Sequence, residues 1–190
     1  GSEPIVPPLP GAELGITSDG FFGLRAQPRK VAVIGGGYVA VELGGMLNAL
    51  GSSVTLVALE NRLMERFDPM ISEVLEKEMR LQGIRVQTGF RVTGLSGNAG
   101  EIGVMSADSG TLAGFDTVIW AVGRRPGTQG LNPGAAGIEV LPDGAIAVDD
   151  HANTSVPGIY AVGDVTGRLP LTPVAIAAGR RLAERLFEGQ

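Results

Sequence analysis

Residues 30–40 read Lys-Val-Ala-Val-Ile-Gly-Gly-Gly-Tyr-Val-Ala, and no other stretch limits the fold so tightly. The near-continuous apolar run over 30–34 predicts a strand buried on both faces. After the three glycines, Val41, Leu43, Met46 and Leu50 recur at helical spacing until Gly51 closes the pattern. A second apolar run, residues 54–58, completes strand, helix and strand in about thirty residues, the length of a right-handed crossover unit. That unit is half a Rossmann core. Gly35, Gly37 and Ala40 stand at the G-x-G-x-x-G/A spacing where strand becomes helix. Gly35 permits the tight turn, Gly37 lets a pyrophosphate approach the backbone, and Ala40 lets helix and strand pack closely. The helix start adds unpaired amides and the positive end of a dipole. A turn kept for packing alone does not call for this spacing at this junction, so a dinucleotide is the expected ligand.

Composition narrows the remaining classes. A chain of 190 residues supports one or two domains, and 30 glycines suggest many turns and close backbone approaches. A net charge of -5 provides no basic stripe to replace phosphate counterions, so neither nucleic acid nor a membrane surface is an expected partner. No apolar run reaches the roughly 18 to 20 residues that span a bilayer, and the start lacks a signal-peptide pattern; a soluble, cytoplasmic chain is expected. With no Cys and a single His, His151, no thiolate or two-His metal site is available, and no metal is expected. His151 lies beside Asp149 and Asp150 in a turn without a nucleophile elbow and reads as a surface residue.

Gly1-Ser2 reads as an expression scar, and the prolines at 4, 7, 8 and 10 as an extended connector, so residues 1–10 are set apart. Ser18-Asp19 starts a short helix. A longer one has Asp68 as N-cap, Pro69 at its first position, Ile71, Val74, Leu75 and Met79 on one apolar face, and Gly83 as its stop. After a short strand at 84–87, residues 91–115 break into alternating pieces separated by glycines, the pattern of an inserted antiparallel meander. A return strand occupies 117–122, and a domain boundary is placed near Pro126. Further strands are expected near Ile146 and at 159–162, with a final helix opened by Thr172-Pro173. The expected architecture is α/β: a Rossmann-like three-layer domain with a parallel sheet and an inserted meander over 11–126, then a second segment over 127–190.

In Rossmann sites the end of the second strand chooses between nicotinamide cofactors, an acid binding the ribose 2′-hydroxyl and arginines accepting a 2′-phosphate. Glu60 lies about 20 residues beyond Ala40 and is the expected hydroxyl ligand. Arg62 and Arg66 keep the phosphate reading open, so NADH is expected with NADPH as the alternative.

The phrases VAVIGGGYVAVELGGMLNALGSSVTLV, FDTVIWAVGRRP, IYAVGDVTG and LTPVAIAAGR occur in this order. With them the chain resembles, essentially end to end, the glutathione reductase branch of the pyridine nucleotide-disulfide oxidoreductases, and its VALENRL stretch looks most like an NADH-using amide-reductase relative. The resemblance implies that Gly36, Val39 and Glu42 line the nicotinamide nucleotide and that Gly123 passes its backbone close by. It makes Tyr38 a gate over the flavin, Asp164 a ligand of FAD, and Thr172 the start of a helix aimed at the flavin ring. Residues 127–190 then count as the C-terminal part of an FAD domain. Leu59 and Glu65 stand where NADPH-using members carry arginines, Ala58 where a strand-end acid is usual, and Gly127 where Asn is usual. The resemblance further implies a parent enzyme that passes hydride from the nicotinamide through FAD and a cysteine pair to glutathione disulfide or its amide. The redox cysteines, the first glycine motif and the dimer-forming part are not in this sequence, so the chain is expected to be an inactive monomeric fragment of a homodimer, holding no catalytic residue beyond Tyr38. The rivals are a stand-alone dinucleotide-binding module and an NADH-dependent flavoprotein with a non-thiol acceptor.

Overall fold

Val31 to Ile34 are buried because both faces of their strand are covered. The computed structural model describes residues 1–188 and divides the chain into two compact units, residues 4–123 and residues 1–3 with 124–190. In chain order the elements are β1 (Ser2–Pro4), β2 (Ile16–Thr17), α1 (Ser18–Phe22), β3 (Lys30–Ile34), α2 (Tyr38–Ala49), β4 (Ser53–Val57) and α3 (Pro69–Leu81). They continue with β5 (Arg85–Gln87), β6 (Val92–Asn98), β7 (Glu101–Ser106), β8 (Gly110–Phe115), β9 (Thr117–Trp120), β10 (Arg124–Pro126) and α4 (Thr172–Phe187).

In the larger unit, β2, β9, β3, β4 and β5 form one sheet in that order, and every pairing is parallel. Strand alternation divides the apolar run into two sets. Val31 and Val33 join Ala40, Leu43 and Leu47 of α2, Val54 and Leu56 of β4, and Met79 of α3 in one core. Ala32 and Ile34 join Val57, Val118 and Trp120 against Leu95, Val104 and Phe115 of the antiparallel sheet β6-β7-β8. The sheet is thus sandwiched between helices and meander, the three-layer arrangement expected from the sequence. The edge strand β2 pairs with β9, and the turn that leads into it is held by Trp120, whose indole N–H donates to the Ala12 carbonyl at 2.9 Å.

Local chemistry sets the helix ends. Asp68 accepts from the Met70 amide at 2.9 Å, Pro69 is in the first turn, and Gly83 follows the helix at φ 87°. On α2 the buried residues Ala40, Leu43, Gly44 and Leu47 recur every three or four positions. A Cβ on Gly44 would lie 2.9 Å from Leu56 Cδ2, so Gly44 shares with Ala40 the close approach of helix to sheet. The apolar face read for α3 is only partly used. Met79 is buried and Leu75 packs on the core, but Ile71 and Val74 are exposed because the inward face of the helix runs through Ser72, Leu75 and Met79, and Ile71 and Val74 lie beside that face.

In the smaller unit, β1 pairs with β10, and the Gly127 amide donates to the Gly1 carbonyl at 3.0 Å. Residues 1–3, expected to be scar and connector, are therefore structured. The strands expected near Ile146 and over 159–162 reduce to isolated bridges, Val140 with Ile146 and Asn153 with Tyr160. Side chains join the backbone bonding around these bridges: the Ile159 carbonyl accepts both the Thr154 amide at 3.1 Å and the Thr154 hydroxyl at 2.9 Å, and Asp149 accepts from the amides of His151 and Asn153. α4 begins at Thr172 as expected, but its N-cap is Leu171, without a side-chain cap.

Two substitutions test this packing. Leu63, fully buried beside the glycine turn, is expected to cost about 2–5 kcal/mol as Leu63→Ala in denaturant unfolding. Removing the α3 cap with Asp68→Ala should cost about 1 kcal/mol in the same measurement.

Candidate functional site

Because the sheet is parallel, the segments following β3, β4 and β9 all emerge at one edge. The chain leaves β3 outward through β4 and β5 and returns on the other side as β9, so β3 and β9 flank a topological switch point, where open α/β sheets bind ligands. Gly35 occupies that point. Its amide donates to the Val57 carbonyl at 2.8 Å, its φ is 142°, and a Cβ there would overlap the Ala121 carbonyl. The next residue on that side, Ala121, donates its amide to the Ile34 carbonyl at 2.7 Å, and the backbone reaches Gly123 at φ 134°.

Gly36 is buried, whereas Gly37 is exposed and a Cβ on it would meet nothing within 4 Å. Gly37 is also the N-cap of α2, and no side chain caps that end. The first-turn amides thus lie next to open space over Gly37, a geometry that accepts phosphate oxygens. Tyr38 is half-buried in the first helical position, Val39 packs partly on the core, Ala40 is fully buried, and Glu42 is exposed.

The segment after β4 folds back over the glycine turn. Glu60 Oε2 lies 3.0 Å from the position a Cβ on Gly36 would take, so the carboxylate sits directly against the loop. The Met64 amide donates to the Gly36 carbonyl at 2.7 Å, with Met64 itself in the left-handed region at φ 54°. Ser72, buried on α3, donates its hydroxyl to the Met64 carbonyl at 3.2 Å, and Leu63 plugs the core beneath. Arg62 turns inward: its guanidinium donates to the Glu65 carbonyl at 3.0 Å, and its buried Nε has no hydrogen-bond partner among the described residues. Arg66 is exposed. The structure therefore brings Gly35, Gly36, Gly37 and Glu60 together and engages Arg62 within its own loop.

Sequence reasoning missed Met64 and Ser72. The apolar pair Leu63-Met64 within an otherwise polar run, Glu-Asn-Arg before it and Glu-Arg after it, was the available signal that this loop is anchored.

In the smaller unit, Asp164 is half-buried in a 3-10 turn, Gly163–Thr166, and its Oδ2 accepts the Ser2 hydroxyl at 2.6 Å. Thr172 is exposed at the start of α4. His151 is exposed, and the Asp149 carboxyl beside it is held below the usual carboxylate range, chiefly by the Asn153 side-chain amide and then by the Asn153 backbone amide. That cluster is a turn bound by two distant arginines: Arg185 of α4 donates to the His151 carbonyl at 2.7 Å and to Asn153 Oδ1 at 3.0 Å, and Arg168 donates to the Asp149 carbonyl at 3.1 Å. Among the described residues no group of three His, Cys, Asp or Glu is placed to hold a metal, and no helix is long and apolar enough to cross a membrane.

Comparison with known proteins bears on the family. Residues 1–179 match the family described as pyridine nucleotide-disulphide oxidoreductase, so Gly1 and Ser2, read from the sequence as an expression scar, lie within the family match. The chain is 45% identical over 194 aligned residues to a glutathione reductase of Schizosaccharomyces pombe, covering 100% of this chain and 41% of that protein. It is 43% identical over 190 residues to a glutathione reductase of Yarrowia lipolytica, covering 98% of this chain and 40% of the relative. Thus the chain spans about two-fifths of the length of these curated relatives. Among solved structures, the HOCl-induced flavoprotein disulfide reductase RclA of Escherichia coli superposes with a TM-score of 0.91 at 32% identity, covering 100% of this chain and 44% of that one. A Cu(II) complex of the same reductase gives 0.90 at 32% identity, with 98% and 44% covered. The resemblance read from the four sequence phrases is borne out, and the chain belongs to the pyridine nucleotide-disulphide oxidoreductase family.

Proposed function

We propose that this chain is the nicotinamide-binding part, with a portion of the flavin-binding part, of an FAD-dependent disulfide reductase that prefers NADH. The observation that carries the cofactor choice is Glu60 against Gly36 at the carboxyl edge of the sheet. A carboxylate there accepts hydrogen bonds from a ribose 2′-hydroxyl and repels a 2′-phosphate. Leu59 and Glu65 supply no cation at the positions where the resemblance would require one for NADPH, and Arg62 is spent on the Glu65 carbonyl.

The residues fit a dinucleotide. Gly37 leaves room over the uncapped start of α2 for a pyrophosphate, and Gly36 provides a backbone surface where a Cβ would press on Glu60 Oε2 at 3.0 Å and on the Ala58 Cβ at 3.2 Å. In this reading Gly35, Gly36, Gly37 and Ala40 hold the phosphates, Val39, Glu42 and Gly123 border the nicotinamide half, and Tyr38 is a movable shield. Asp164 accepts from hydroxyls of FAD, and Thr172 opens the helix facing the flavin ring. The nicotinamide and the flavin supply the electron chemistry, and the protein contributes orientation and binding. The acceptor proposed for the whole enzyme is glutathione disulfide or its amide, by way of a cysteine pair outside this sequence. Whole-protein dimerisation and a cytoplasmic location belong to the same proposal.

Calorimetric titration of the purified chain tests the cofactor choice. NADH is expected to bind more tightly than NADPH, with Glu60→Ala weakening NADH by about tenfold or more, the scale of one charge-assisted hydrogen bond. Tighter NADPH binding overturns the assignment and passes the role to Arg62 and Arg66. Two glycine variants separate ligand from packing. Gly35→Ala should lower the melting temperature because its Cβ meets backbone, whereas Gly37→Ala should melt like the parent chain and lose dinucleotide affinity. Undiminished binding by Gly37→Ala removes the phosphate reading.

A further inference from the structure

Asp164 is one end of a hydrogen-bonded chain that includes two residues to which neither the glycine turn nor the family motifs assign a role. The pairing of β1 with β10 sets Ser2 beside Arg124, although 122 positions separate them in sequence. Arg124 grips Ser2 at two points, Nε to the Ser2 hydroxyl oxygen at 2.7 Å and Nη2 to the Ser2 carbonyl at 2.6 Å. The Ser2 hydroxyl in turn meets Asp164 Oδ2 at 2.6 Å.

The direction of this chain follows from the donor inventory. A guanidinium has only donors and an ionised carboxylate only acceptors, so the single Ser2 proton must point at Asp164 while its oxygen accepts from Arg124. The Ser2–Asp164 distance is that of a charge-assisted bond. The Asp164 backbone is fixed as well, its carbonyl accepting from the Gly167 amide at 3.0 Å within the 3-10 turn. Among the described residues, Oδ1 receives no hydrogen bond. The carboxylate is therefore oriented through one oxygen and offers the other.

We infer that Ser2, gripped by Arg124, is a positioning residue that locks the Asp164 carboxylate so that its second oxygen accepts a hydroxyl of the flavin cofactor. This rests on the reading of Asp164 as a flavin ligand. Without the Ser2 proton, Oδ2 competes for the same hydroxyl and the carboxylate rotates, so affinity falls through lost pre-organisation.

The experiment measures FAD retention by the full-length protein carrying this chain, read as the rise in flavin fluorescence on dilution and independent of turnover. Ser2→Ala is expected to weaken FAD binding by about tenfold, Ser2→Thr to retain it, and Ser2→Ala with Asp164→Asn to bind no worse than Asp164→Asn alone. If Ser2→Ala fails to fold, the pair Ser2→Thr and Ser2→Val, equal in volume and differing in the hydroxyl, decides the matter. Parent-like FAD binding by Ser2→Ala or Ser2→Val, with a loss in Asp164→Asn, overturns the positioning role and leaves the flavin reading standing. Additive losses in the double variant overturn it equally. Unchanged binding by Asp164→Asn removes the flavin reading at this residue, and the inference with it.

Discussion

The larger unit depends on backbone meeting backbone at Gly35. Strands β4 and β9 flank β3, and at its carboxyl end the Gly35 amide remains bonded to Val57 while its α-carbon lies against the Ala121 carbonyl. No side chain fits there, and the φ of 142° lies outside what L-residues adopt at low cost. One residue therefore ends a central strand, turns the chain towards α2 and keeps the β9 segment close. Everything proposed for dinucleotide binding is built outward from that turn.

The loop after β4 works in the opposite sense, with side chains anchoring backbone. Leu63 is buried in the core, Ser72 holds the Met64 carbonyl, and Met64 bonds the Gly36 carbonyl. Glu60 is consequently placed by a braced loop, although the residue itself is exposed. This explains how an acid two positions beyond the usual strand-end site still arrives over the glycine turn. It also explains why Arg62, similarly spaced in sequence, does not serve as a surface cation: its guanidinium closes the loop by bonding the Glu65 carbonyl.

The smaller unit is organised differently. Its stretch from 127 to 171 contains two 3-10 turns and isolated bridges, with Asp, Thr and Ser side chains binding nearby backbone. Such local bonds hold a turn in place without extended pairing. Asp164 lies in this setting and is steadied by Ser2 and Arg124, residues contributed by the paired strands β1 and β10.

The sequence by itself determined the elements whose signals are local and periodic. The apolar run at 30–34, the glycine spacing at 35–40, the Asp68-Pro69 start of α3 and the glycine-separated pieces of the meander each carry their own chemistry within a few residues. Tertiary structure decided what depends on partners distant in the chain. Whether Ile71 and Val74 are buried depends on which face of α3 turns inward, and whether Ile146 and Tyr160 belong to strands depends on the distant backbone groups that their segments meet. Whether Glu60 or Arg62 faces the glycine turn depends on a loop bonded to Gly36 and to α3. The joining of Ser2 and Arg124 to Asp164 likewise spans up to 162 positions, a separation at which no periodicity or spacing rule operates.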